Sequence, residues 1–145
     1  LCGETDEDNR IIRRLIPGHG FDTKFELPCP DDTGSQLGFD GTELHVSQWY
    51  NKVVVAIDHN GNVQKFYESP HGIAGQVIVD NRIYLVTTEA EETNDYFLTR
   101  IDVDSDTATD IAKIPFPARS LAFDGQHFWS NHRAVDQIVC FKHPD

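Results

Sequence analysis

Seven histidines, two tryptophans and several runs of carboxylates are the material from which this 145-residue chain could build chemistry. Imidazole comes first, because its proton affinity lies near neutrality and it serves equally as metal ligand or general base. His71 lies in Pro70-His71-Gly72-Ile73, and His132 in Asn131-His132-Arg133, a compact polar turn suited to an anion. Trp49-Tyr50 and Trp129 offer flat faces for stacking a sugar or an aromatic ligand. Trp129 falls within an alternating strand pattern, so packing between elements is its plainer expectation. The stretch "DVDSDTATD", 102–110, spaces carboxylates like a calcium loop. Thr107 stands where such a loop requires glycine, however, and no closing glutamate follows, so a turn is expected. "EAEETND", 89–95, is an acidic insertion that reads first as a solvated loop and is able to meet a cation or a basic partner. No nucleophile constellation and no phosphate-binding glycine loop can be assigned.

The chain must also position these groups. A hydrophobic fraction of 39% suffices for one core. The net charge of −12 argues against nucleic acid and anionic membrane surfaces, both of which reward basic patches. No apolar run approaches the roughly 20 residues of a membrane span. Cys2, Cys29 and Cys140 do not make an even disulfide framework. Cys140, within an apolar strand pattern, is expected to be buried.

An internal repeat organises the rest. Segments beginning at Leu37, Val77 and Leu121 share an apolar-x-apolar-Asp core, followed by Gly or Asn, with marker aspartates at Asp40, Asp80 and Asp124, spaced 40 and 44 residues apart. That is the period of four short strands per unit. Asp-Gly or Asp-Asn supplies the positive φ of a tight hairpin. Val53-Val54-Val55-Ala56-Ile57 is continuously apolar, as expected of a strand covered on both faces. Pro70, Pro115 and Pro117 fall where fourth strands end and proline breaks no ladder. The fold class expected is all-β, built of four-stranded propeller blades, about three per chain.

The Phe-Asp-Gly marker, "NKVVVAIDHNGNV" and "PHGI" resemble the propellers of the NHL and virginiamycin B lyase-like group. The resemblance implies a ligand face formed by the loops after fourth strands and between second and third strands. Asp31, Asp32, Ser69, His71 and Arg119 then come from the first loop set. Gln48, Trp49, Tyr50, Glu89, Glu91, Glu92, Asn131, His132 and Arg133 come from the second. His71 is implied as metal ligand or base for a divalent ion, with His132 as a second catalytic candidate. Gln48, Trp49, Glu89, Arg119, Asn131 and Arg133 are the implied ligand contacts. His71 keeps a second reading, as a plain blade-junction loop, because only one unit carries the motif.

Three units do not close a ring, since propellers have 4 to 8 blades. "FDTKFELP", Phe21 to Pro28, reads as a fourth strand without a blade, and the last unit lacks its fourth strand. The expectation is a homodimeric six-bladed propeller in which strand 21–27 completes the partner's last blade, the rival being a fragment of a larger propeller. Residues 1–20 form an acidic leader with an extra strand at 10–15, and residues 21–145 form the three-blade unit. "NRIIRRLIPG" from Asn9 aligns with "NKVVVAIDHNG" from Asn51, so it resembles a third strand that a strict six-blade dimer cannot place. Three functional readings follow: a module binding a small-molecule or protein ligand at the channel, a metal-dependent lyase or hydrolase, and an assembling fragment without ligand.

Overall fold

Hairpin after hairpin, the turn residues divide the described residues into fourteen strands and four antiparallel sheets. The computed structural model describes residues 2–4, by their backbone, and 9–144. The first sheet holds β1 (Cys2–Glu4), β2 (Arg10–Ile16) and β3 (Gly20–Pro28). The second holds β4 (Leu37–Phe39), β5 (Leu44–Gln48), β6 (Val53–Ile57) and β7 (Val63–Glu68). The third holds β8 (Gly72–Val79), β9 (Arg82–Thr88), β10 (Tyr96–Asp102) and β11 (Thr107–Ile114). The fourth holds β12 (Ala122–Phe123), β13 (His127–His132) and β14 (Gln137–Lys142). A 3-10 turn, Pro30–Asp32, links the first two sheets. The expected positive-φ residues are where the hairpins need them: Gly41, Asp80, Asn81 and Gly125.

The sheets stack in chain order through three apolar interfaces. Ile12 and Cys29 of the first pack against Val46, Val55 and Ile57 of the second. Val54, Ala56 and Tyr67 face Ile73, Ile83, Leu85 and Ile101 of the third. Tyr84, Val86, Tyr96 and Leu98 meet Leu121 and Phe128 of the fourth. The continuous apolar run in β6 is thereby explained. Val55 and Ile57 point to one neighbouring sheet, Val54 and Ala56 to the other, and all four are fully buried. β9 repeats the device, with Ile83 and Leu85 on one side and Tyr84 and Val86 on the other.

Two expectations need correction. Phe21 to Pro28 reads in the sequence as a fourth strand without a blade, but β3 has one: it pairs with β2 of its own chain, Ile12 opposite Leu27 and Leu15 opposite Phe21. The reason is local. Pro17–Gly20 forms a tight turn in which His19 N–H donates to Ile16 O at 3.0 Å, with Gly18 and Gly20 at positive φ. Closing so short a loop costs far less entropy than recruiting a strand from elsewhere. The extra strand at 10–15 is therefore the centre of a sheet, flanked by β1 and β3. The described residues form four sheets, not three with a stray strand. The acidic stretch 5–8 lies outside the described residues. Cys140 is the second correction: it is exposed, because no described element covers the outer face of β14.

Candidate functional site

The site begins with backbone that extends the inner strands. Before β4, Ser35 N–H donates to Ser47 O at 2.7 Å, and Ser47 N–H donates to Gln36 O at 3.0 Å. This fixes Gln36, whose side chain then spans three sheets. Its Oε1 accepts from Gln76 N–H at 3.0 Å and its Nε2 donates to Leu121 O at 3.2 Å. Gln76 returns the tie, donating from Nε2 to Gln36 O at 2.8 Å and His45 O at 2.6 Å. A bulge between Ile73 and Gly75 lets β8 approach the fourth sheet closely.

Beside this brace lies a cavity of about 460 Å³, lined by Arg10, Ser35, Gln36, Trp49, Tyr50, Ile73, Ala74, Glu91, Tyr96, Arg119, Ser120 and Arg133. Its volume falls in the range of small-molecule sites. Three of the seven arginines of an acidic chain gather there. Arg119 Nη2 lies 3.1 Å from Glu91 Oε1, and Arg133 Nη1 lies 3.4 Å from Glu91 Oε2. Asn131 organises the arginine loops: its Oδ1 accepts from Arg119 N–H at 3.1 Å, Ser120 N–H at 3.0 Å and Ser120 Oγ–H at 3.0 Å. Arg133 N–H donates to Pro117 O at 2.9 Å. Trp49 both lines the cavity and covers Gly72, whose absent Cβ would sit 3.1 Å from the indole.

Of the residues expected at the mouth, Trp49, Tyr50, Glu91, Arg119 and Arg133 line the cavity, with Asn131 behind them. Gln48 is fully buried, donating to Pro30 O and Thr33 O and accepting from Asn51 Nδ2 at 2.8 Å, so its amide is committed to the loop. Arg10 was missed for want of a place for its strand; the alignment of Asn9 with Asn51 was its only signal. Tyr96 and Ala74 carried none.

His71 and His132 are not among the cavity residues. His132 stacks on Phe116, ring centroids 4.8 Å apart, and its Nδ1 is buried without a hydrogen bond among the described residues. His71 stacks on Phe97 and donates from Nδ1 to Glu89 and from Nε2 to Asp110 Oδ2 at 2.8 Å. Asp110 also accepts from Thr99 Oγ1 at 2.6 Å, and Thr99 meets Thr87 Oγ1 at 2.7 Å in the interior. The two nitrogens of one imidazole point apart, so Glu89 and Asp110 cannot share an ion with it. The arrangement does not fit a divalent metal at His71.

Burial pulls the His71 pKa down, but the hydrogen bonds to Asp110 and Glu89, with their charges, outweigh it and raise the value above its ordinary 6.5. The folded state therefore favours the imidazolium. The stabilisation is complete below the unfolded pKa and lost as pH rises through the elevated folded one. Urea midpoints taken from mildly acidic to mildly alkaline buffer should fall with a step that His71→Gln removes. A variant retaining the same step would show that another group titrates.

Asp40, Glu43 and His45 also bring ligand-type atoms within 4.8 Å of one another, at a hairpin between β4 and β5. Asp40 Oδ1 accepts from Thr42 N–H and Glu43 N–H, both at 2.8 Å, and Oδ2 from His45 Nε2 at 3.0 Å. The fourth sheet builds the same clamp. Asp124 Oδ1 accepts from Gln126 and His127 N–H, and Oδ2 from Trp129 Nε1, each at 2.8 Å. The His127 amide and the indole together hold the Asp124 pKa at about 2. An indole N–H only donates, so the shared construction is a hairpin clamp. Trp129, expected between blades, is instead 37% exposed with its polar edge held by this aspartate. The 102–110 stretch is the expected turn, Asp102 opposite Thr107, its carboxylates paired with Arg82, Arg100, Lys65 and His71.

Antiparallel sheets of three or four strands, stacked face to face with their innermost strands adjacent, define a β-propeller. The chain resembles propellers of the virginiamycin B lyase group. It is similar to the glutaminyl cyclase of Myxococcus xanthus at 9% identity and a TM-score of 0.63, over 94% of this chain and 62% of that one. It is similar to virginiamycin B lyase from Staphylococcus aureus, in a catalytically inactive form with quinupristin, at 15% identity and a TM-score of 0.59, over 97% of this chain and 54% of that one. The chain thus spans less than two thirds of either. No protein-family model and no curated protein sequence matches it.

Proposed function

We propose that this propeller arc is a binding module that takes a small molecule or a peptide end at the cavity beside the Gln36 brace. The observation that carries the reading is convergence. Residues remote in sequence, Trp49 and Tyr50 from the second sheet, Ile73, Glu91 and Tyr96 from the third, and Arg119, Ser120 and Arg133 from the fourth, meet around one concave space. Apolar and aromatic walls with a few fixed polar groups are the usual make-up of a ligand site. The arginines belong to loops cross-tied by Asn131 and Pro117, so part of the ordering cost of binding is already met by the fold. The two solved relatives named as enzymes support the fold of this reading only, since identity is low in both.

The two tryptophans provide the test. Trp49 lines the cavity, whereas the Trp129 indole is held by Asp124. In a screen of small anionic and neutral aromatic compounds, the indole N–H resonance of Trp49 should move saturably and that of Trp129 should stay. Compounds that shift only Trp129, or a library that moves neither, would contradict the assignment.

A further inference from the structure

We propose that Arg119 and Arg133 form a carboxylate-binding site, that Glu91 is the chain's own occupant of it, and that the ligand is a carboxylate carrying an apolar or aromatic body. This rests on the ligand-binding reading above and gives it a ligand class. The geometry is that of one carboxylate shared by two guanidinium groups, one oxygen to each, at 3.1 Å and 3.4 Å. Such charge-assisted contacts are how proteins recognise carboxylates. The two sides of the pair differ in origin. Both arginines belong to the fourth sheet's loops, which Asn131 and Pro117 O hold in register. Glu91 arrives from the neighbouring sheet on the 89–95 insertion.

The insertion is tethered through its backbone, with Thr88 Oγ1 and Thr93 Oγ1 donating to Ala90 O at 3.0 Å and 2.9 Å and Tyr96 donating to Glu91 O at 3.2 Å. These ties hold the main chain, whereas the Glu91 carboxylate is held by its contacts with Arg119 and Arg133. The three charged side chains are each a third or more exposed, and pairs so exposed hold weakly. An incoming carboxylate can therefore take Glu91's place while its body lies against Trp49, Tyr50 and Ala74. Arg10 lines the same cavity. Glu91 would then act as a built-in competitor that keeps the arginine pair neutralised until a ligand of the right charge and shape arrives.

N-acetylphenylalanine and N-acetylphenylalaninamide, which differ in one charge, test this on the 145-residue chain by titration of the Trp49 resonance. The acid should bind about tenfold tighter than the amide, the scale of one charge-assisted contact. Glu91→Gln should tighten the acid about threefold to tenfold, by removing an exposed ion pair, and leave the amide unchanged. Arg119→Met with Arg133→Met should erase the preference. The proposal is overturned if the amide binds as well as the acid, or if Glu91→Gln fails to tighten the acid. Amide binding without acid preference leaves the binding module standing. Failure of both compounds to reach Trp49 removes this proposal and counts against the module.

Discussion

Gly75→Ala is expected to destabilise the protein by about 3 kcal/mol, the upper end of the usual cost of overpacking. A methyl group there would lie 2.7 Å from the carbonyl carbon of Ser120, 2.8 Å from its Cα and 2.9 Å from Leu121 N. All three are backbone atoms of the segment leading into β12, so no side chain can turn aside. Relief requires the third and fourth sheets to separate, which would loosen the interface of Tyr84, Leu121 and Phe128. Gly38→Ala is the matched control. Its nearest neighbour is the tip of Ile78 at 3.3 Å, a flexible atom that can shift, and the cost should stay below about 1 kcal/mol. Urea unfolding of the two variants side by side checks the contrast. Equal midpoints would mean that the inner strands are farther apart than described.

Gln36→Leu is expected to cost about 2 kcal/mol, within the range for leaving buried polar groups unpaired. The substitution keeps the bulk of the side chain but strands Gln76 N–H and Leu121 O, each now satisfied by Gln36. Gln76 retains its bonds to Gln36 O and His45 O, because these end on backbone. The loss should thus be partial and local. Amide hydrogen exchange offers the more telling readout. Protection should fall at Gln76, whereas the β6 amides, sealed between two apolar interfaces, should keep theirs. Undiminished protection at Gln76 would show that the glutamine brace is dispensable. Because Gln36 also lines the cavity, ligand titrations of this variant should lose affinity together with stability.

Much of the architecture was legible from neighbouring residues alone. The Asp40, Asp80 and Asp124 spacing, the Asp-Gly and Asp-Asn turns and the apolar run 53–57 each marked a strand or hairpin that the structure contains. Their signals are local, since a turn is set by two or three φ angles and a buried strand by its own side chains. The pairing of β3 with β2 also has a local signal, the Pro17–Gly20 turn beside the strand, with Gly18 and Gly20 at positive φ. Trp129 and Cys140 were misplaced because burial depends on what covers a sheet, and the pattern within a strand does not report it.

The chemistry was legible only in part. Trp49, Tyr50, Glu91, Arg119 and Arg133 could be assigned to one face once the repeat was aligned, because loops of equal rank in a repeat emerge on the same side. Their convergence could not be read, nor could the capture of His71 by Asp110, 39 residues away, or the reach of Gln36 to Leu121, 85 residues away. By itself the chain's amino-acid order determined the strands and the turns, because these arise from torsions and burial of adjacent residues. Stacking of the sheets decided the cavity, the meeting of Glu91 with the two arginines and the withdrawal of both candidate histidines from it, since those depend on distances between segments that meet only after folding.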